Sequence, residues 1–239
     1  MSDLDLSVVF PVYNEAENIP ILLAEIRNAL APAKLTYEIV AADDGSSDDS
    51  VAVLKKCRYD HPGLRIIVLQ KNTGQTAALD AAWRAARGRL VVSLDADLQN
   101  DPADIPPMIE RLEAEKADMV IGVRVKRQDT LSKRIQSKIG NGVRNWITND
   151  QVTDTGCSLK LLKRECIDGV KLFTGMHRFL PTLVRMNGYR VIEMPVNHRP
   201  RQFGVSKYNA MNRAFRGLAD CFAVRWMGKR TFRYTTREE

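Results

Sequence analysis

Along the first half of the chain, short apolar runs alternate with longer stretches in which apolar residues recur every three or four positions. The runs Leu6–Val12, Tyr37–Ala42, Leu64–Leu69, Leu90–Leu94 and Asp118–Ile121 are rich in β-branched residues and predict strands. Between them, Ala16–Leu30, Ser47–Tyr59, Thr76–Arg87 and Pro102–Glu115 carry the helical period. Ser47 and Asp48 can cap the second of these helices, and Asp101-Pro102 the fourth. Strands that lack polar alternation are buried on both faces, so the pattern predicts a mostly parallel sheet flanked by helices. After Arg124 the rhythm changes. A polar helix over about 132–148 precedes a strand at Cys157–Leu161, a short helix near Met176–Asn187 and a strand at Tyr189–Met194. His198–Gly204 reads as a loop, followed by an amphipathic helix over about 206–227.

With 239 residues there is enough chain for one substantial core. The expectation is a single domain over 1–227, its halves 1–123 and 124–227 sharing one sheet, and then a basic tail over 228–239. The longest apolar runs fall far short of the roughly 20 residues that span a bilayer. The N-terminus lacks the plan of a secretory signal. Four cysteines without Cys-x-x-Cys spacing and three scattered histidines suggest no zinc site, and reduced thiols in a cytosolic protein are the plain reading.

Charge changes the picture further. The net +7 divides into 12 Lys and Arg against 20 Asp and Glu in residues 1–123, and 24 against 9 in residues 124–239, a balance of −8 and +15. The basic half is suited to an anionic partner (phosphate, an acidic membrane surface or nucleic acid), or else it is a solvated basic surface.

The candidate chemistry sits at strand ends. Asp95-Ala96-Asp97 follows the apolar run Leu90–Leu94, with Gln99 two residues on. Two carboxylates there would aim hard oxygen ligands at the sheet's C-terminal edge, where Mg²⁺ or Mn²⁺ can bridge protein and a diphosphate. A solvated turn is the alternative for Asp-x-Asp taken alone. A second acidic strand end, Ala41-Ala42-Asp43-Asp44-Gly45-Ser46, lies upstream and favours the metal reading. Its carboxylates would repel phosphate, so Asp43 and Asp44 suit base, ribose or metal contacts. In Phe10-Pro11-Val12-Tyr13-Asn14-Glu15, Tyr13 can lie against a nucleobase and Glu15 can accept from ribose, or the segment is a turn and helix cap. Lys71-Asn72-Thr73-Gly74 can flank a nucleotide or be a plain turn. No Gly-x-Gly-x-x-Gly and no P-loop is present, which argues against a nicotinamide-type site and a Walker-type phosphate loop.

Three of these segments, Val8–Glu15, Asp43–Asp48 and Asp95–Gln99, stand in the order and spacing of family 2 glycosyltransferases, which the chain resembles. Gly122-Val123-Arg124, Thr153–Cys157, Met176–Pro181 and His198–Lys207 sharpen the resemblance toward the polyprenyl-phosphate glycosyltransferases, over roughly residues 6–225. It implies an α/β fold of the GT-A type, the nucleotide-diphospho-sugar transferase fold, with a basic C-terminal amphipathic helix. Residues 1–123 would then bind the nucleotide sugar, and 124–227 would form the acceptor side. By position, Pro11, Tyr13, Glu15 and Asp43 would hold the nucleoside, with Asp44 and Ala96 in the same donor site. Asp95, Asp97 and Gln99 would bind Mg²⁺ or Mn²⁺ and the diphosphate. Arg124, Arg201 and Lys207 match positions that contact donor or acceptor phosphate, with Arg199 on the same loop.

The implied reaction is inverting transfer of a sugar from a UDP- or GDP-linked donor to undecaprenyl or dolichyl phosphate. A lipid phosphate is already largely ionised at neutral pH, so it needs cations rather than a base. Asp154 matches an acidic position facing the acceptor. With phosphate it would position the sugar or the nucleophile, it would be the natural base for a hydroxyl acceptor, or it is a structural cap. Met176-His177-Arg178 reads either as lining the acceptor channel or as a helix end. Met211, Phe215, Leu218, Ala219, Phe222 and Trp226 recur at helical spacing among basic residues, which predicts peripheral attachment to the cytoplasmic face of a membrane. A membrane partner protein or self-association would assist it. The rival readings are a hydroxyl-acceptor transferase, a nucleic-acid-binding protein and a silent sugar-nucleotide sensor; no nucleic-acid partner is expected.

Overall fold

The computed structural model describes residues 4–125, 131–170, 173–201, 210–230 and 237, and of 131–139 and 210–216 it describes the backbone. Seven strands form one sheet: β1 (Leu6–Val12), β2 (Tyr37–Asp43), β3 (Leu64–Val68), β4 (Leu90–Ser93), β5 (Met119–Arg124), β6 (Lys160–Lys163) and β7 (Val191–Val196), in the order β3-β2-β1-β4-β6-β5-β7. Only β6 runs against its neighbours, β4 and β5; the other pairings are parallel. The chain leaves β1 toward β2 and β3, then returns to β4 on the other side. That reversal opens a crevice beyond the C-terminal ends of β1 and β4, where open α/β sheets take their ligands.

The apolar continuity of the strands is explained by helices on both faces. Leu6, Val8, Phe10 and Val12 of β1 face α1 (Ile19–Leu30), α2 (Ser50–Cys57) and α4 (Ile105–Ala114) in one buried cluster. Val9, Val40, Ala42 and Val91 face the other way, toward α3 (Gln75–Ala85), α5 (Leu131–Thr148), α6 (Leu180–Met186) and α7 (Ala210–Arg230). In α1 the buried residues Ile19, Leu22, Leu23, Ile26 and Leu30 trace a single stripe, and a proline at the start costs no hydrogen bond there. No helix among the described residues is long and apolar enough to cross a membrane.

The differences from the sequence expectation lie at element ends, and each has a local cause. The α1 helix starts three residues later than Ala16, because Asn18 N bonds Glu15 O (3.0 Å) in a turn. The α2 helix starts at Ser50, because Ser46 and Ser47 are engaged by Asn14; its N-cap is Asp49, which makes no side-chain cap bond, and Asp48 accepts from Ser50 N at 2.9 Å in the turn before it. Asp101 caps a 3₁₀ turn at Pro102–Asp104 that leads into α4. The strand expected at Cys157–Leu161 is β6, displaced to Lys160–Lys163, because a turn at 155–156, with Gly156 N on Asp154 Oδ1 at 3.2 Å, delays the start of its ladder with β4. The β5 strand runs three residues beyond Ile121 and so delivers Arg124 to the same edge.

Candidate active site

Three loops converge at the switch point. After β1, Asn14 takes the left-handed conformation (φ 55°) that asparagine tolerates, and its Oδ1 accepts from Ser47 N at 2.8 Å. Glu15 N donates to Ser50 Oγ at 2.8 Å, so the turn after β1 is knitted to the loop after β2. Gly45 (φ 69°) lies so close to the loop after β3 that a Cβ would stand 2.7 Å from Asn72 N. Asp44 completes this join, its carboxylate accepting from Thr73 N (2.7 Å) and Gly74 N (2.9 Å). The resulting cleft of about 290 Å³ is lined by Pro11, Val12, Tyr13, Glu15, Asp44, Asn72, Gly74, Gln75, Asp95, Ala96, Asp97 and Arg201.

At its centre is the turn after β4. Leu98 is fully buried yet has φ 62°, a strained conformation for a branched side chain and one that costs on the order of 1–3 kcal/mol. Burial of Leu98 holds the turn in which Gln99 N donates to Asp97 Oδ1 at 3.2 Å. Asp95 Oδ1 accepts from Gln75 Nε2 at 2.8 Å. Burial first, and then the Asp97 charge, pushes the Asp95 carboxyl up to about 6; Ser158, Lys160 and Gln75 pull it back. A carboxyl raised by burial and by the carboxylate beside it forms, with that neighbour, a donor set that a divalent cation would relieve, so the residues fit such an ion. Among the described residues no group of three or more His, Cys, Asp or Glu could enclose a metal. A cation held by Asp97 and Asp95 would therefore complete its shell with diphosphate oxygens and water, as Mg²⁺ commonly does.

The second half of the chain reaches this turn along an ordered path. Asn197 donates to Asp104 through its backbone N (2.8 Å) and its side chain (2.9 Å). His198 forms a β-bridge with Asn100, and Arg199 N donates to Gln99 O at 2.9 Å. Arg201 then meets Asp97, Nη2 to Oδ2 at 2.7 Å. On the other flank, Arg124 Nε and Nη2 grip the Asp154 carboxylate at 2.7 and 2.8 Å. Gly156 makes room for that fork, since a Cβ would lie 2.8 Å from Arg124 Nη2.

Several expected residues take other positions. Arg199 stands outside the cleft lining; its guanidinium is clamped by Glu25 and Asp101, both at 2.7 Å. These pairs fasten the loop to α1 and to the turn before α4. Gln99 also stands outside the lining, and its amide nitrogen lies 3.4 Å from Arg199 O. Asp43 is fully buried below the cleft; Ser46 N donates to Oδ2 (3.0 Å), while Oδ1 has no hydrogen-bond partner. Asp44 lines the cleft, but its carboxylate serves the loop after β3. Glu15 is shared with Asn18, 2.5 Å away. Arg124 and Asp154 pair with each other, outside the lining. His177 Nδ1 lies 2.7 Å from Thr76 Oγ1, so its turn leans on the start of α3. Lys207 lies outside the described residues.

Two contributors escaped the sequence reading. Gln75 follows a loop glycine and carries no motif. Lys160 interrupts an apolar strand (Leu159-Lys160-Leu161-Leu162), and that interruption was the available signal. Its side chain is buried, with Nζ donating to Cys157 O. Burial lowers its pKa, while Cys157, Asp95 and Asp154 pull it back up. Its charge is felt by Asp95 and Asp154.

Comparison with known proteins fits this geometry. The glycosyl transferase family 2 profile matches residues 7–171. A dodecaprenyl-phosphate galacturonate synthase of Rhizobium johnstonii is 39% identical over 228 residues, covering 94% of this chain and 67% of the relative. An undecaprenyl-phosphate 4-deoxy-4-formamido-L-arabinose transferase of Sodalis glossinidius is 39% identical over 208 residues, covering 86% and 63%. The chain thus spans about two thirds of the length of these relatives. A mannosyltransferase of Pyrobaculum calidifontis, solved with GDP-Man and Mn²⁺, has the same fold, with TM-score 0.69, 22% identity and coverage of 98% of this chain and 67% of that one. A glucosyl-3-phosphoglycerate synthase of Mycobacterium tuberculosis, solved with Mg²⁺ and UDP, gives TM-score 0.68 at 18% identity, covering 92% and 80%. The sheet order, the crevice and its acidic turn are therefore those of a GT-A fold, and the chain belongs to glycosyl transferase family 2.

Proposed function

We propose that the protein transfers a sugar from a nucleotide-diphospho-sugar to a polyprenyl phosphate at the cytoplasmic face of a membrane, with inversion and with Mg²⁺ or Mn²⁺. The observation that carries this reading is the meeting of Arg201 and Asp97 across the cleft, 2.7 Å apart and beside Asp95. A cation site and a guanidinium side by side suit a diphosphate that must depart while a second anion approaches. The polyprenyl-phosphate relatives, which match over most of this chain, support the acceptor class.

In this reading the nucleoside lies along Pro11, Tyr13 and Glu15, and Asp43 Oδ1 supplies an acceptor for a base N–H. Arg201 swings from Asp97 to phosphate oxygens as the donor seats. A bound divalent ion would act as a Lewis acid on the leaving diphosphate. The lipid phosphate is ionised at neutral pH, so no group on the protein has to remove a proton. What it needs is positive charge against its own repulsion with the donor, and Arg201, Arg124 and Lys207 are the assigned sources. Asp154, with both oxygens gripped by Arg124, orients that guanidinium instead of acting as a base.

The Arg124–Asp154 pair bears on the hydroxyl-acceptor alternative, in which Asp154 would have to serve as the base. Incubation with a panel of UDP- and GDP-sugars, Mn²⁺ and either polyprenyl phosphate or oligosaccharide, followed by mass spectrometry, separates the two. A lipid-phosphate sugar product supports the proposal. A lengthened oligosaccharide, with the lipid untouched, would replace it.

A further inference from the structure

The passage from β3 into α3 is fastened on two sides. Asp44, buried at the end of β2, takes Thr73 N and Gly74 N on its carboxylate, at 2.7 and 2.9 Å. Gly74 has nothing within 4 Å of where a Cβ would lie, so its φ of 100°, and not a lack of space, calls for glycine there. Two residues further on, Thr76 is buried. Its Oγ1 accepts from Gly175 N at 2.9 Å and lies 2.7 Å from His177 Nδ1. A turn from the second half of the chain is thereby tied to the start of α3, which gives the Met176-His177-Arg178 segment a contact that no step of the transfer uses.

Between these anchors stands Gln75. It opens α3, yet its amide leaves the helix, lines the cleft and reaches Asp95 Oδ1 at 2.8 Å. An ionised carboxylate only accepts, so the nitrogen end of the amide is the one that faces it. Gln75 follows β3 and Asp95 follows β4, with β2 and β1 between them in the sheet, so this bond joins loops that the fold keeps two strands apart. Ser158 bears on the same carboxyl, and its Oγ is fixed on Asn100 Oδ1 at 2.6 Å. A carboxylate that ligates a cation turns about its last torsion unless a neighbour holds its plane. Removing such a neighbour commonly costs about 10- to 100-fold in metal affinity. A neutral amide suits the task, since it steers the carboxylate without bringing a positive charge to compete with the ion.

We propose that Gln75 is a positioning residue for Asp95, and that the start of α3 is the bracket that aims it: Asp44 holds the bracket on one side, and Thr76, through Gly175 and His177, holds it on the other. The proposal rests on the reading of Asp95 and Asp97 as cation ligands, and its test tells the two apart. Affinity for Mn²⁺ in the presence of UDP or GDP is measured by electron paramagnetic resonance of the free ion. The full chain is compared with Q75M, T76V, D95N and D95N/Q75M, each checked by circular dichroism. Met keeps the length of Gln without its donor, and Val keeps the shape of Thr without its hydroxyl. We expect Q75M to bind Mn²⁺ about tenfold more weakly, and T76V to shift in the same direction by less. D95N/Q75M should bind as D95N does, because Gln75 acts through Asp95. Excess Mn²⁺ should restore much of the transfer rate of Q75M, which damage to the fold would not allow. Unchanged affinity in folded Q75M, or an undiminished loss when Q75M is added to D95N, would overturn the positioning role. A T76V variant equal to the parent protein would overturn the bracket. A parent protein that binds no Mn²⁺ with either nucleotide would fell the cation reading and the proposal together, whereas Mn²⁺ binding that Q75M leaves untouched faults the proposal alone.

Discussion

Asp95 bears the electrostatic strain of the site. Its folded pKa of about 6 lies above the ordinary 3.8, because burial and Asp97 both disfavour its charge. A group raised in this way binds its proton more tightly when folded, so its contribution to stability is full below about pH 4 and is lost as pH rises through 6. In protein stripped of divalent ions, stability should fall over that window, and Mn²⁺ should raise the melting temperature more at pH 7 than at pH 5. Asp95→Asn should flatten the slope and raise the metal-free melting temperature; an unchanged pH slope by calorimetry would refute this account. Lys160, whose Nζ donates to Cys157 O, pulls the Asp95 carboxyl back down. Lys160→Met should therefore push that carboxyl further up and move the loss of metal-free stability to higher pH. A pH profile unchanged from the parent protein would show that the buried amine is idle.

Among the elements, the loop after β7 shows how a distant residue is aimed. Arg201 reaches Asp97 only because Asn197, His198 and Arg199 are each fastened to the Asn100–Asp104 region or to α1. Arg199→Ala should therefore raise the donor KM several-fold, with a stability loss of about 1 kcal/mol, while Arg201→Ala should lower kcat/KM far more. Equal kinetics for Arg199→Ala and the parent protein would remove its role as a clamp. The same loop marks where the sequence was legible. The alternation of apolar runs and helical stripes revealed the parallel sheet, and the acidic strand ends pointed to the edge where the cleft lies, because both are local patterns. The ion pairs of Arg199 were not legible because its partners, Glu25 and Asp101, lie far away in the chain and only the fold unites them. The β6 strand was displaced because an antiparallel insertion between β4 and β5 leaves no mark in local periodicity. Gln75 was missed because its role is a single hydrogen bond.

For the molecule as a whole, the division of charge is also a division of labour. The acidic half supplies the carboxylates of the cleft, and the basic half supplies Arg124 and Arg201. Long-range attraction of an anionic surface fades as the Debye length shrinks from about 10 Å at 0.1 M salt to about 3 Å at 1 M. Transfer to lipid phosphate in anionic vesicles should therefore fall steeply over that range, while transfer in neutral detergent falls less; equal salt profiles would argue against electrostatic docking. The account as a whole depends on the acidic turn and Arg201 handling a diphosphate together. The most direct test is mass spectrometry of the lipid after incubation with nucleotide sugars, polyprenyl phosphate and Mn²⁺. The predicted result is a polyprenyl-phosphate sugar that disappears with EDTA and in Asp97→Ala. A product that persists undiminished in both, or no glycosylated lipid from any donor, would contradict it.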